Sequence, residues 1–154
     1  MTAADESWAD LTPAGARDLL AVLPISWWIA GGWALDLAAG RQTRPHGDVD
    51  VALLRPEHER LRTALASWDL RIAYRGVLTP WAGGPVGPHE NAVWGRRHPG
   101  EPWLLDFKLE LVEGDEWVYR RDSGVRRPLG AIGRVTEDGI PYLDPEIVSL
   151  YAAG

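Results

Sequence analysis

The chain is 154 residues long, enough for one domain with its own core, and carries a formal net charge of −6. It has no cysteine, which excludes disulfides and thiolate chemistry and makes the cytoplasm the expected compartment. The acidic balance disfavours nucleic acid, there is no apolar run long enough to span a membrane, and the acidic opening MTAADESWAD argues against a secretory signal.

In chain order, residues 12–23 read as a helix with Thr12 as N-cap and Pro13 at the first position. WWIA, residues 27–30, is a short strand ending at Gly31-Gly32; a helix over Trp33–Ala39 follows and is closed by Gly40. DVDVALL is a strand, Pro56–Ser67 a helix, and LRIAYR another strand. Residues 79–90 hold three prolines and three glycines and predict an irregular loop. NAVWGR, PWLLDFKLELVE and EWVYRRD are three further strands. IPYLDPEIVSLYAAG is a turn leading into a last helix, with Asp144 as N-cap and Pro145 at its first position. The fold class is therefore α/β or α+β, with a mixed sheet flanked by helices.

Two aspartates one residue apart in an apolar strand need a reason, because aspartate weakens strands. Successive strand residues face opposite ways, so Val49, Val51 and Leu53 share the core face and Asp48 and Asp50 the other, their Cα atoms about 6–7 Å apart. Such a pair suits one hard divalent cation, with phosphate oxygens completing the shell. In PWLLDFKLELVE, Leu105, Phe107, Leu109 and Leu111 take one face and Asp106, Lys108 and Glu110 the other. An antiparallel neighbour of the first strand would place Asp106 beside Asp48 and Asp50, and three carboxylates on adjacent strands are a scaffold for metal-assisted phosphoryl or nucleotidyl transfer. Gly31-Gly32 opens a helix after a strand, where backbone N–H groups and the helix dipole favour an anion. An anion cradle beside a cation site is what a nucleoside triphosphate with Mg2+ requires.

The stretch AGGWALDLAAGRQTRPHGDVDVAL, with LLDFKLE and IPYLDPEIVSLY, resembles the aminoglycoside and lincosamide nucleotidyltransferases of the polymerase-β-like superfamily, over residues 15–151. The resemblance implies Asp48 and Asp50 as metal ligands and Asp106 as third ligand or general base. Gly31 and Gly32 would contact the phosphates, and Arg41, Arg44 and His46 would offset phosphate charge, with a bracing role for His46 as the alternative. Asp36 also matches a family position, with an arginine such as Arg41 as a possible partner. Lys108 departs from the family pattern and would contact phosphate or screen the metal site. The implied fold is that of a polymerase-β-like nucleotidyltransferase, one domain over residues 1–154, with the charged helical tail of relatives either truncated or absent. The implied activity is transfer of a nucleoside monophosphate, AMP from Mg-ATP, to a hydroxyl of a small molecule, first of all an aminoglycoside, by a monomer or homodimer. Glu90, Glu110, Glu113, Asp115 and Glu116 would form an acidic cleft for its ammonium groups. The alternatives are a nucleotide-binding or regulatory protein of the same fold without acceptor chemistry, and a transferase acting on a lincosamide or another metabolite.

Overall fold

A computed structural model describes residues 7–153; the acidic opening Met1–Glu6 lies outside the described residues. The elements run α1 (Pro13–Leu20), β1 (Trp27–Ala30), α2 (Gly31–Ala39), β2 (Asp50–Leu54), α3 (His58–Ala64), β3 (Asp69–Tyr74), β4 (Val77–Pro80), β5 (Ala92–Arg96), β6 (Leu105–Glu113), β7 (Glu116–Val118), β8 (Arg126–Pro128), β9 (Gly133–Val135), β10 (Pro141–Leu143) and α4 (Pro145–Ala153). The sheet order is β4-β3-β5-β6-β2-β1-β10-β9, with β7 and β8 continuing from the far end of β6. Pairing is antiparallel except for β2 with β6 and β1 with β10, so the sheet is mixed, as expected from the sequence.

The helix ends follow their caps. Thr12 Oγ1 accepts from the Gly15 amide at 3.1 Å, and Asp144 Oδ1 accepts from the Glu146 amide at 2.9 Å. Gly40 closes α2 at φ 78°, in the left-handed region where glycine carries no Cβ penalty. Helix α1 stops at Leu20 rather than at residue 23, because Pro24 disfavours helical geometry in the residue before it. The predicted helix over 56–67 begins as a 3-10 turn, Arg55–Glu57, and α3 ends at Ala64.

Three differences from the expected order bear on the site. Asp106 sits beside Asp50 through a parallel pairing, not an antiparallel one, since α3 and the β3–β5 strands separate β2 from β6 and reverse the return direction. Strand β4, whose last two residues overlap the expected loop over 79–90, forms a hairpin with β3 through Arg75 (φ 51°) and Gly76 (φ 77°). Pro141–Leu143, expected as a turn, is strand β10 and lies parallel to β1 with Ile29 opposite Tyr142.

The rest of the predicted loop is firmly held. Trp81 is buried and its indole donates to the Gly84 carbonyl, His58 Nε2 accepts from the Val86 amide, and Arg55 donates to the Glu90 carbonyl at 2.6 Å. Val51, Leu53, Phe107 and Leu109 are fully buried and face one another across the β2–β6 pairing, which makes these two strands the rigid floor for everything below. Among the described residues no helix is long and apolar enough to cross a membrane.

Candidate active site

Asp50 is the first residue of β2 and stands directly opposite Asp106 of β6. Residues directly opposite share a sheet face, and Asp48 lies two residues before Asp50 on the loop entering β2. One carboxylate oxygen from each of Asp48, Asp50 and Asp106 lies within 4.8 Å of the others. Asp50 Oδ1 and Asp106 Oδ1 are buried without a hydrogen-bond partner. Buried carboxylate oxygens left unpartnered are costly unless something else binds them. The donor set is all oxygen and therefore hard, so the residues fit a divalent cation such as Mg2+.

Electrostatics agree with that fit. Burial, the neighbouring Asp106 and Asp48 push the Asp50 carboxyl up to about 7, against the pull of Lys108. Burial likewise pushes Asp106 up to about 6, although Lys108 Nζ lies 3.0 Å from its Oδ2. Burial alone would lower the Lys108 ammonium, but Asp106, Asp50 and Asp48 hold it above its ordinary value. Without a cation the fold thus keeps protons on two carboxyls that the unfolded chain releases near pH 4. The sign follows: stability contributed by these groups falls as pH rises from about 4 through about 7. A divalent cation would replace the protons, so its stabilising effect should grow across the same window. Thermal melts with and without Mg2+ at pH 5 and pH 8 should show the larger gain at pH 8; equal gains would contradict the cation site.

Gly31 starts α2 directly after β1, at φ 60°. A Cβ there would collide with Asp50 Oδ2, so the missing side chain is what lets Asp50 turn toward the helix N-terminus. At Gly32 a Cβ would collide with Arg44 Nη2 and sit 2.9 Å from the His46 ring. The glycine pair therefore makes room for the site's own side chains.

The loop over residues 41–49 is braced from α2 by Asp36, whose side chain is 4% exposed. Asp36 accepts from the Thr43 amide at 2.9 Å, from the Thr43 hydroxyl at 2.5 Å, and pairs with His46 Nε2 at 2.6 Å. Those hydrogen bonds, from Thr43 first and His46 second, hold its carboxyl far below the usual range. The Asp36 carboxylate is thus tied to Thr43 and His46 and not to the Arg41 guanidinium, and His46 braces the loop, its ring 4.3 Å from that of Trp33. Asp36→Ala should release this loop: amide hydrogen exchange over residues 41–49 should rise while that of β6 stays slow.

Beside the triad lies a hollow of about 390 Å3 lined by Gly31, Gly32, Arg44, Asp50, Lys108 and Arg120, with Arg121, Glu110 and Tyr151 closing its far side. Arg41 is not in it; it lines a separate hollow with Gln42, Glu137 and Asp138. Four cationic side chains face two carboxylates here, so the expected acidic cleft is replaced by a cationic one. Of the proposed acidic residues, Glu113 and Glu116 lie at 2.7 and 3.8 Å from Arg126, and Glu90 accepts from the Gly87 amide. Glu110 alone reaches the hollow; it is buried, accepts from Trp117 Nε1 at 2.9 Å and from the Tyr151 hydroxyl at 3.2 Å, and burial raises its carboxyl.

Arg120, Arg121 and Tyr151 were not among the candidate residues. YRRD looked like the end of a strand, whereas β7 ends at Val118 and the Tyr119 amide bonds the Val125 carbonyl in a turn. That turn carries both arginines over the Tyr151 ring, at 5.0 and 5.5 Å from its centroid.

Residues 15–74 match the sequence pattern of the family described as aminoglycoside-2''-adenylyltransferase. A comparison with curated protein sequences finds no match. The fold is similar to that of lincomycin-bound LnuA, a lincosamide antibiotic adenylyltransferase, at a TM-score of 0.60 and 17% identity, over 97% of this chain and 89% of that one. It is also similar to ANT(2'')-Ia in complex with adenylyl-2''-tobramycin, at a TM-score of 0.55 and 16% identity, over 92% of this chain and 72% of that one. At these identities the likeness establishes the fold.

Proposed function

From its kinship with the aminoglycoside and lincosamide nucleotidyltransferases, which the match over residues 15–74 and the shared fold support and which indicates a nucleotidyltransferase enzyme, we propose that this chain moves AMP from Mg-ATP to a hydroxyl of a small molecule. The observation that carries the proposal is the meeting of Asp48, Asp50 and Asp106 beside a cationic hollow that Asp50, Gly31 and Gly32 line.

In this reading the triphosphate lies in that hollow. The amides at the start of α2 face it, and Arg44, Lys108, Arg120 and Arg121 offset its charge. Asp48 and Asp50 would hold a divalent cation, which would supply polarisation of the α-phosphate and acidification of the acceptor hydroxyl. Asp106, facing the same site, would be a third ligand or would accept the hydroxyl proton. The acceptor oxygen forms its bond to the α-phosphorus, the α–β bridging bond breaks, and pyrophosphate leaves. Lys108, held charged by the three carboxylates, sits where charge accumulates on the phosphates.

LnuA and ANT(2'')-Ia are both antibiotic-modifying proteins, and antibiotic resistance is the proposed role of this chain. An aminoglycoside is the first acceptor to test, although the charge around Asp106 favours another class, as argued below. The test incubates purified protein with labelled ATP, Mg2+ and a panel of hydroxylated antibiotics. Pyrophosphate and an adduct heavier by one AMP are expected; nucleotide binding without any transfer would favour a nucleotide-binding or regulatory role instead.

A further inference from the structure

Asp106 and Lys108 also face a second hollow, of about 260 Å3, on the same face of the sheet but toward its β4 edge, across β6 and β2 from Gly31. Its floor follows from the registers. Leu78 pairs with Ala73, Ala73 with Ala92, and Ala92 with Lys108, so one apolar row runs from the edge of the sheet to Lys108. The neighbouring row places Trp94 directly opposite Asp106. Because directly opposite residues share a face, the Trp94 indole stands as a wall beside the carboxylate, on the same face as Asp50. At the outer rim Tyr74 is 36% exposed, and the Arg75 guanidinium lies over its ring at 5.1 Å from the centroid.

We propose that this second hollow receives the acceptor, and that the acceptor is an uncharged or anionic hydroxyl compound presenting a ring face, not a polycation. The inference rests on the transferase reading, in which the first hollow is filled by the triphosphate. The second hollow is then open space that Asp106 itself lines, where an entering hydroxyl would meet its carboxylate. Small apolar residues on the floor and aromatic rings at the wall and rim suit a flat ring, sugar or aryl. The lining has one carboxylate, Asp106, which is already within 3.0 Å of Lys108. The other charges are Arg75 and Lys108, both positive. A polycation would meet two like charges and no carboxylate beyond Asp106, whereas a neutral or anionic ring would not meet that repulsion.

The test uses the full chain with Mg2+ and a non-hydrolysable ATP analogue, whose binding is measured first by calorimetry. Binding of 4-nitrophenyl glucoside, 4-nitrophenyl glucuronide and kanamycin is then followed by saturation-transfer NMR. Both nitrophenyl glycosides should bind the nucleotide-loaded protein, and kanamycin should bind at least tenfold more weakly. Tyr74→Ala should weaken the glycosides about tenfold with nucleotide affinity unchanged, and Arg75→Glu should shift preference from the glucuronide toward kanamycin. Both substituted side chains are exposed or at the rim, so the fold should survive. Kanamycin binding tighter than either glycoside, no glycoside binding to the loaded protein, or Tyr74→Ala weakening the nucleotide instead would each overturn the proposal. Absence of nucleotide binding would instead overturn the transferase reading, and is seen before any acceptor is added.

Discussion

Asp50→Asn should reduce nucleotidyl transfer by about 10^3-fold or more, the scale of removing one preorganised charged contributor to a transition state, while the cation-free protein melts at a higher temperature. The two effects have one cause. Asp50 is placed against Asp106 by the β2–β6 register, with Asp48 beside both, and its charge is opposed by burial and by like charges. A bound cation would offset that opposition where protons no longer do. Asparagine keeps the shape, removes the repulsion and removes the ligand. A variant that loses both activity and stability would mean that Asp50 serves the fold, and a variant with normal turnover would remove the three-carboxylate account altogether.

Gly31→Ala should be nearly as damaging to activity and, in contrast, should destabilise the fold. At φ 60° a Cβ costs about 1–2 kcal/mol from the left-handed geometry alone. Its collision with Asp50 Oδ2 adds to that, because the carboxylate has to move or the helix has to shift. A displacement of about 1 Å in a reacting group is enough to cost on the order of 10^2-fold in rate. Activity and chemical-denaturation midpoints of this variant, set beside those of Ala34→Gly within the same helix, separate the local clash from a general loss of helix stability. If Gly31→Ala behaves no worse than the helix control, the closeness of Gly31 and Asp50 has no functional weight.

Much of this site is legible in residue order, for identifiable reasons. The two-residue period of Val49, Val51 and Leu53, and again of Leu105, Phe107 and Leu109, assigns Asp48, Asp50 and Asp106 to the opposite faces of their strands without any knowledge of pairing. Thr12, Gly40 and Asp144 mark helix ends because capping is local chemistry. Features that depend on distant partners were not legible. Nothing local distinguishes a parallel from an antiparallel neighbour for β2, since either direction puts Asp106 on the same face when it stands opposite Asp50. Arg75 is an unusual residue for a left-handed turn position, so the β3–β4 hairpin carries no Asn-Gly signal. Glu110 reads as a solvated strand residue by alternation, yet Trp117 and Tyr151 close over it from β7 and α4. Asp36 pairs with His46 ten residues later because the loop folds back onto α2, which no helical spacing reveals.

The charge of the chain illustrates the same limit. Summed over the chain, a net charge of −6 favours a cationic acceptor, but the charges are not evenly spread. Arg44, Lys108, Arg120 and Arg121 converge from the loop before β2, from β6 and from the turn after β7 on one hollow, while Glu113 and Glu116 are drawn away to Arg126. Local field, rather than the sum over the chain, determines which ligand enters.

The central claim, that Asp48, Asp50 and Asp106 share a divalent cation with a triphosphate held at Gly31-Gly32, is tested most directly by Mn2+ binding followed by electron paramagnetic resonance. Free Mn2+ should fall sharply when wild-type protein is added together with a non-hydrolysable ATP analogue, and much less for Asp50→Asn at the same concentrations. Equal loss of the free signal for wild type and for the Asp48→Asn/Asp50→Asn/Asp106→Asn variant would contradict the account.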